Sequence, residues 1–206
     1  MIKLKDLIKE IGDASATPYK WEARNSMEDT LYNIKDAADK VFSKPSSTRV
    51  IDVQNYYYDF RSTETDVEYE IVIENWAGKV TNLSFLKGKP KPKKKYFIES
   101  SVSFDIIDNS SEEEMTITNL NEQYKVMATI VDCIKDFINQ IEASESFQLN
   151  ELHIFPKADV ADTMSSIDSK RGRLYKAYIE KQIKTLPLKS SVTNIGDEGF
   201  KITLAH

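Results

Sequence analysis

The chain predicts an α+β domain (mixed α/β), with a mostly antiparallel sheet flanked by helices. Three observations carry that expectation. Residues 67–76 alternate, with Val67, Tyr69, Ile71 and Ile73 on one side and Glu68, Glu70 and Glu74 on the other, as a half-buried antiparallel strand does. Residues 95–107 alternate again: Tyr96, Ile98, Val102, Phe104 and Ile106 oppose Glu99, Ser101, Ser103 and Asp105. Residues 121–143 instead repeat apolar side chains at helical spacing (Val126, Ile130, Ile134, Phe137, Ile141), in a stripe widened by Met127, Val131 and Ile138. So broad a stripe suits a helix lying across a sheet.

The elements follow in order. Residues 2–11 place Ile2, Leu4, Leu7, Ile8 and Ile11 partly at helical spacing, a short amphipathic arm that is marginal alone in water. Residues 12–24 read as a linker, so the chain divides into an arm and linker (1–24) and one domain (25–206). A helix opens at Ser26, with Asp29 three residues on, and carries Met27, Leu31, Ile34, Ala38 and Val41. Pro45 ends it. Residues 49–60 form a β-branched and aromatic strand, and Val80–Leu86 is a short strand or an irregular return. Asp108–Ser111 is a turn, followed by a shorter strand at Met115 and Ile117. Asn119 or Asn121 caps the long helix. Leu152 and Ile154 lie on a strand stopped by Pro156. The last helix starts at Ser166 or Asp168 and closes at Pro187. Phe200, Ile202 and Leu204 form a final strand.

Composition bounds the function. A chain of 206 residues with 40% hydrophobic and 30% charged residues builds a real core under a solvated surface. The net charge of −5 argues against broad nucleic-acid binding. The single cysteine, Cys133, excludes an intramolecular disulfide and suits a reducing compartment. No apolar run approaches about 18 residues, so no spanning helix and no membrane partner are expected. Lysines and acids interrupt the N-terminus throughout, unlike a signal peptide.

Several features invite a functional reading. Lys87, Lys89, Lys91, Lys93, Lys94 and Lys95 put six lysines in nine residues, with prolines holding the run extended. They form a candidate polyanion-binding finger or a solvated hairpin loop. Tyr56 and Tyr58 flank Tyr57 on a strand, and the outward face is either a protein interface or covered by a helix. His153 and His206 lack partners at metal-ligand spacing, so no metal site is expected. No P-loop, Gly-x-Gly-x-x-Gly or Gly-x-Ser-x-Gly occurs.

The order helix, strand, helix, strand over 119–204 behind an antiparallel sheet, with Asp168-Ser169-Lys170-Arg171-Gly172-Arg173-Leu174-Tyr175 in the second helix, resembles the GCN5-related N-acetyltransferase fold over residues 95–204. The resemblance implies acetyl-CoA as cofactor, Asn119 and Asn121 beside its pyrophosphate, and Tyr175 as general acid. A carboxylate such as Glu74 or Glu99 would activate an amine. The chain departs from the family pattern. Where the family has a glycine-rich phosphate loop, it carries Thr118-Asn119-Leu120-Asn121-Glu122-Gln123-Tyr124, with no glycine and a negative charge at Glu122. Residues 123–141 and Arg171 to Tyr175 also resemble short proteins of tailed bacteriophages. The expected function is therefore a non-enzymatic interaction protein without a cofactor, a virion or accessory component in the host cytoplasm or the particle. It would bind virion proteins, a host factor or its own copies. An atypical acyltransferase, and nucleic-acid binding through the lysine run, are the alternatives.

Overall fold

Alternating sequence becomes a seven-stranded sheet in the computed structural model of the protein, which describes residues 16–43, 50–80, 94–107, 120–155, 170–184, 189–195 and 199–205. The strands are β1 (Trp21–Ala23), β2 (Val50–Arg61), β3 (Glu68–Lys79), β4 (Tyr96–Ile106), β5 (Phe147–Ile154), β6 (Lys189–Ile195) and β7 (Gly199–Ala205). The helices are α1 (Met27–Phe42), α2 (Leu120–Ala143) and α3 (Lys170–Ile183). The strand order is β1-β2-β3-β4-β5-β7-β6. Neighbours are antiparallel except β4 and β5, which run parallel and are joined through α2.

The described helices pack on one face of the sheet. The crossovers β4–α2–β5 and β5–α3–β6 step across the sheet in the same direction, so right-handed connections put α2 and α3 on the same side. Contacts agree. The Tyr58 hydroxyl, from β2, donates to Asp136 of α2 at 2.7 Å. Lys135 of α2 donates to Gln182 of α3 at 2.9 Å. Phe42 of α1 stacks on Tyr96 of β4, centroids 6.1 Å apart. Beneath them Tyr56, Ile71, Ile73, Ile98, Leu149, Leu152 and Ile202 are buried, meeting Ile130, Phe137 and Ile138 from α2. The helical stripe read from the sequence is thus the surface that seals the sheet.

Local chemistry sets the boundaries. Ser26 caps α1, its hydroxyl accepting from the Asp29 N–H, which relieves one of the unpaired amides at a helix start. Asp66 takes φ 62° in the β2–β3 turn, a left-handed conformation that aspartate tolerates. A bulge between Val53 and Tyr56 bends β2. There the buried Asn75 amide donates to the Gln54 carbonyl at 2.9 Å and accepts from the Ser100 hydroxyl at 2.7 Å, so the irregular backbone stays paired.

Residues 16–24, expected as linker, differ. Trp21–Ala23 pairs with Tyr58–Phe60 as an edge strand. Tyr19 is buried, and the Trp21 indole donates to Asp132 of α2 at 2.9 Å. Three residues are too few for alternation to show, so side-chain anchoring by Tyr19 and Trp21 replaces it. Beyond β1 the Asn25 amide acts as a further strand, donating to the Asn55 carbonyl at 3.1 Å and accepting from the Tyr57 N–H at 3.2 Å. β6 is a second edge strand beyond the expected final one. The amphipathic arm and the strand expected near Met115 and Ile117 lie outside the described residues, as does the strand expected at 80–86 beyond Val80, whose N–H donates to the Lys95 carbonyl at 3.1 Å.

Candidate interaction surface

The two faces of the sheet divide the candidate residues. Tyr56 and Tyr58, expected as a protein interface, point into the core at 1% and 0% exposure. The structure corrects that reading, because α2 lies over them. The Tyr58 ring meets Tyr56 and Trp21 edge-on, at 5.0 and 5.1 Å, and burial raises the Tyr58 phenol far above its usual range. Only Tyr57 faces the other way.

Of the lysine run, Lys94 and Lys95 are described, and both are committed within the chain. Lys94 binds the Glu142 carboxylate and carbonyl at the end of α2, each at 2.8 Å. Lys95 reaches Asp39 of α1 at 2.5 Å. Lys35, Lys95 and the Tyr96 hydroxyl all donate to Asp39, holding its carboxyl well below the ordinary carboxylate range. Both lysines therefore pin the start of β4 to the helix layer. Lys87, Lys89, Lys91 and Lys93, and also Asn119, lie outside the described residues. Asn121 and Tyr175 fall in α2 and α3. Cys133 is fully buried, and burial pushes its thiol up. His153 sits 3.1 Å from Glu151, which also takes Lys201 at 2.8 Å. Among the described residues no group of three or more His, Cys, Asp or Glu converges as a metal site.

Glu74 and Glu99, the two carboxylates proposed to activate an amine, do come together on the face of the sheet that carries none of the described helices, called the helix-free face below. Trp76 lies between them on β3, directly opposite Glu99 of β4 and two residues from Glu74. Asp52 of β2 is opposite Trp76 on the other side. Side chains directly opposed in a sheet have Cβ atoms about 5 Å apart, so three carboxylates surround one half-buried indole. Among the described residues none of the three has a cation in contact, and the indole N–H has no acceptor. Phe97 is the next aromatic on this face. Its ring lies over Gly78, where an added Cβ would come within 2.2 Å of it, so the glycine is what lets the ring lie flat on the sheet.

Further along the same face, Tyr57 presents a second aromatic among acids. Here a cation is present. The Arg24 guanidinium sits 5.1 Å from the Tyr57 ring centre and bridges Asp59 and Glu70, both at 2.6 Å. The Asp59 hydrogen bond is the main reason the Arg24 pKa is raised. Beside it a groove of about 490 Å³ runs along the β1 edge, lined by Trp21, Arg24, Asp59, Arg61, Glu68 and Ile107. Arg61 is likewise paired, with Asp66 and Glu68.

The sequence reading missed Trp76, Asp52 and Arg24. The available signal was parity: Trp76 falls on the outward set of β3 with Glu70 and Glu74, where a solvated face has no need of an indole. No family model, curated protein or solved structure matches the chain.

Proposed function

We propose that the chain is a protein-interaction module that works through the helix-free face of its sheet. One observation supports this best: the described helices all seal one face, whereas the other carries Tyr57, Val72, Trp76 and Phe97 half-buried among carboxylates. An antiparallel sheet commonly leaves one face to water. Large aromatics at its centre are the composition of an interface core. The resemblance to tailed-phage proteins makes a particle component or host factor the natural partner. Site-specific photo-crosslinking tests the reading. A crosslinker at Ser101 or Ser103, on this face, should trap a discrete partner that Trp76→Ala releases, and one at Lys40, on α1, should not. Equal trapping from both positions would sink it.

A second reading, N-acyl transfer, draws on the parallel pair β4 and β5. Ligands of open sheets bind beyond the carboxyl ends of parallel strands, where the next helix starts. In that reading acetyl-CoA sits at the start of α2, near Asn119 and Asn121, Tyr175 is the general acid, and Glu74 or Glu99 the base. Glu122 and the lack of glycine oppose it, and so does the sheet itself, which separates Glu74 and Glu99 from the helix layer to which α3, the helix of Tyr175, belongs. Titration with acetyl-CoA and CoA decides. Saturable binding lost in a loop variant would favour it, and no binding at millimolar ligand would remove it. Polyanion binding through Lys87–Lys95 is the least supported, since Lys94 and Lys95 are already paired, and charge reversal at Lys89 and Lys91 tests it.

A further inference from the structure

We infer that Trp76, with Asp52, Glu74 and Glu99, is a docking site for an arginine or lysine side chain of a basic partner segment. This rests on the interaction-module reading and names the chemistry of its partner. The protein holds a filled example of the same arrangement. On β2, Tyr57 has a carboxylate two residues along its strand (Asp59) and another on the adjacent strand (Glu70), and Arg24 occupies the space between them over the ring. On β3, Trp76 has a carboxylate two residues along (Glu74) and one on each adjacent strand, Glu99 and Asp52. The pattern is repeated with a larger ring and one more carboxylate, and no described residue supplies its cation.

The chemistry identifies the occupant. An indole face attracts cations more strongly than a phenol. Three carboxylates around it favour positive charge and disfavour phosphate, nucleic acid and acidic peptide. The long apolar stem of arginine or lysine covers the ring while its head reaches the carboxylates, and arginine fits better because its planar fork can bond two of them at once. Like charge also argues against a second copy laid face to face, which would bring Glu74 and Glu99 against their own equivalents.

The test uses the whole chain and a short peptide alternating arginine with glycine. The protein has two tryptophans, both half-buried; Trp21 is bonded to Asp132 and lines the groove at the β1 edge, so the Trp76→Ala variant is what assigns an emission change to Trp76. The peptide should change tryptophan emission saturably at low ionic strength, and salt should weaken the effect. Glu99→Gln and Glu74→Gln should each weaken binding roughly three- to tenfold, and Trp76→Ala should abolish the emission change, with circular dichroism unaltered. Asp36→Asn, on the exposed side of α1, should change nothing. Lack of binding by the peptide, equal binding by a glutamate–glycine peptide, or binding indifferent to Trp76→Ala would overturn the inference. A partner trapped at Ser101 whose affinity ignores Glu74→Gln and Glu99→Gln would overturn it and leave the interaction module standing. A salt-insensitive dimer lost in Trp76→Ala would replace the basic segment with a second copy.

Discussion

Tyr58 is the residue whose role most depends on which face it occupies, and Tyr58→Phe isolates it. The ring is fully buried and its hydroxyl donates to Asp136 at 2.7 Å. Phenylalanine keeps the ring contacts with Tyr56 and Trp21 and removes one hydrogen bond to a charged acceptor, worth about 1.5–3 kcal/mol. Asp136 retains a bond from Gln140 at 2.5 Å and is half-buried, so water can reach the vacated oxygen and the lower end of that range applies, roughly 1.5 kcal/mol. Tyr58→Ala also deletes a fully buried ring and two edge-on contacts, and should cost about 3–5 kcal/mol. Urea denaturation followed by circular dichroism measures both, with an unchanged slope showing that the denatured state is not the cause. Neither substitution should alter binding at the helix-free face, provided the protein is folded. A Tyr58→Phe variant as stable as the parent, or one that loses partner binding while fully folded, would refute the assignment of Tyr58 to the core.

The other predictions address separate parts of the molecule. Gly78→Ala forces the Phe97 ring off the sheet and should cost about 1 kcal/mol; in a double-mutant cycle with Phe97→Ala the two losses should be less than additive. Asp39→Asn removes the anchor for Lys35, Lys95 and Tyr96 and should cost about 1 kcal/mol or less at neutral pH, since the carboxylate is a third exposed. Because the folded pKa is depressed, that contribution is present above the ordinary value of 3.8 and is lost as pH falls below it. Stability curves of parent and variant should therefore converge in acid, and a gap constant with pH would refute the ion-pair account. Cys133 should resist a thiol reagent in the native protein at neutral pH and react on unfolding, as its burial and raised pKa require.

Elements with a clear period were legible in the sequence. The alternation at Tyr69, Ile71 and Ile73 and at Tyr96, Ile98 and Val102 is the inner face of β3 and β4, and the stripe from Val126 to Ile141 is the buried side of α2. The cap at Ser26 was legible too, because it needs only a hydroxyl next to a helix start. What failed was non-local. β1 is held by Tyr19 hydrogen-bonding Thr129 at 2.8 Å and Trp21 hydrogen-bonding Asp132, partners more than a hundred residues away. Likewise, whether Tyr56 and Tyr58 or Tyr57 face the helices depends on the bulge between Val53 and Tyr56. One extra residue there keeps Ile51 and Val53 on the same face as Tyr56 and Tyr58, and simple alternation through 49–60 cannot anticipate it.

The same bulge explains why the candidate site stayed hidden. Asp52, Trp76 and Glu99 share a row only because β2 and β4 both take a fixed register against β3. Shift β2 by one residue and Ile51 or Val53 would stand beside the indole, an ordinary apolar contact in place of a carboxylate. The polar core provides that register: Asn75, one residue before Trp76 and on the opposite face, bonds Gln54 within the bulge and Ser100 on β4. Asn75→Leu keeps the branched side-chain skeleton yet leaves the Gln54 carbonyl without its donor, and the register of β2 loses its restraint. The expected result is a variant that remains folded, is destabilised by about 1–3 kcal/mol, and binds the arginine–glycine peptide more weakly despite an intact Trp76. Unchanged affinity in the folded variant would show that the buried asparagine holds the core alone and that the three carboxylates do not act as a set.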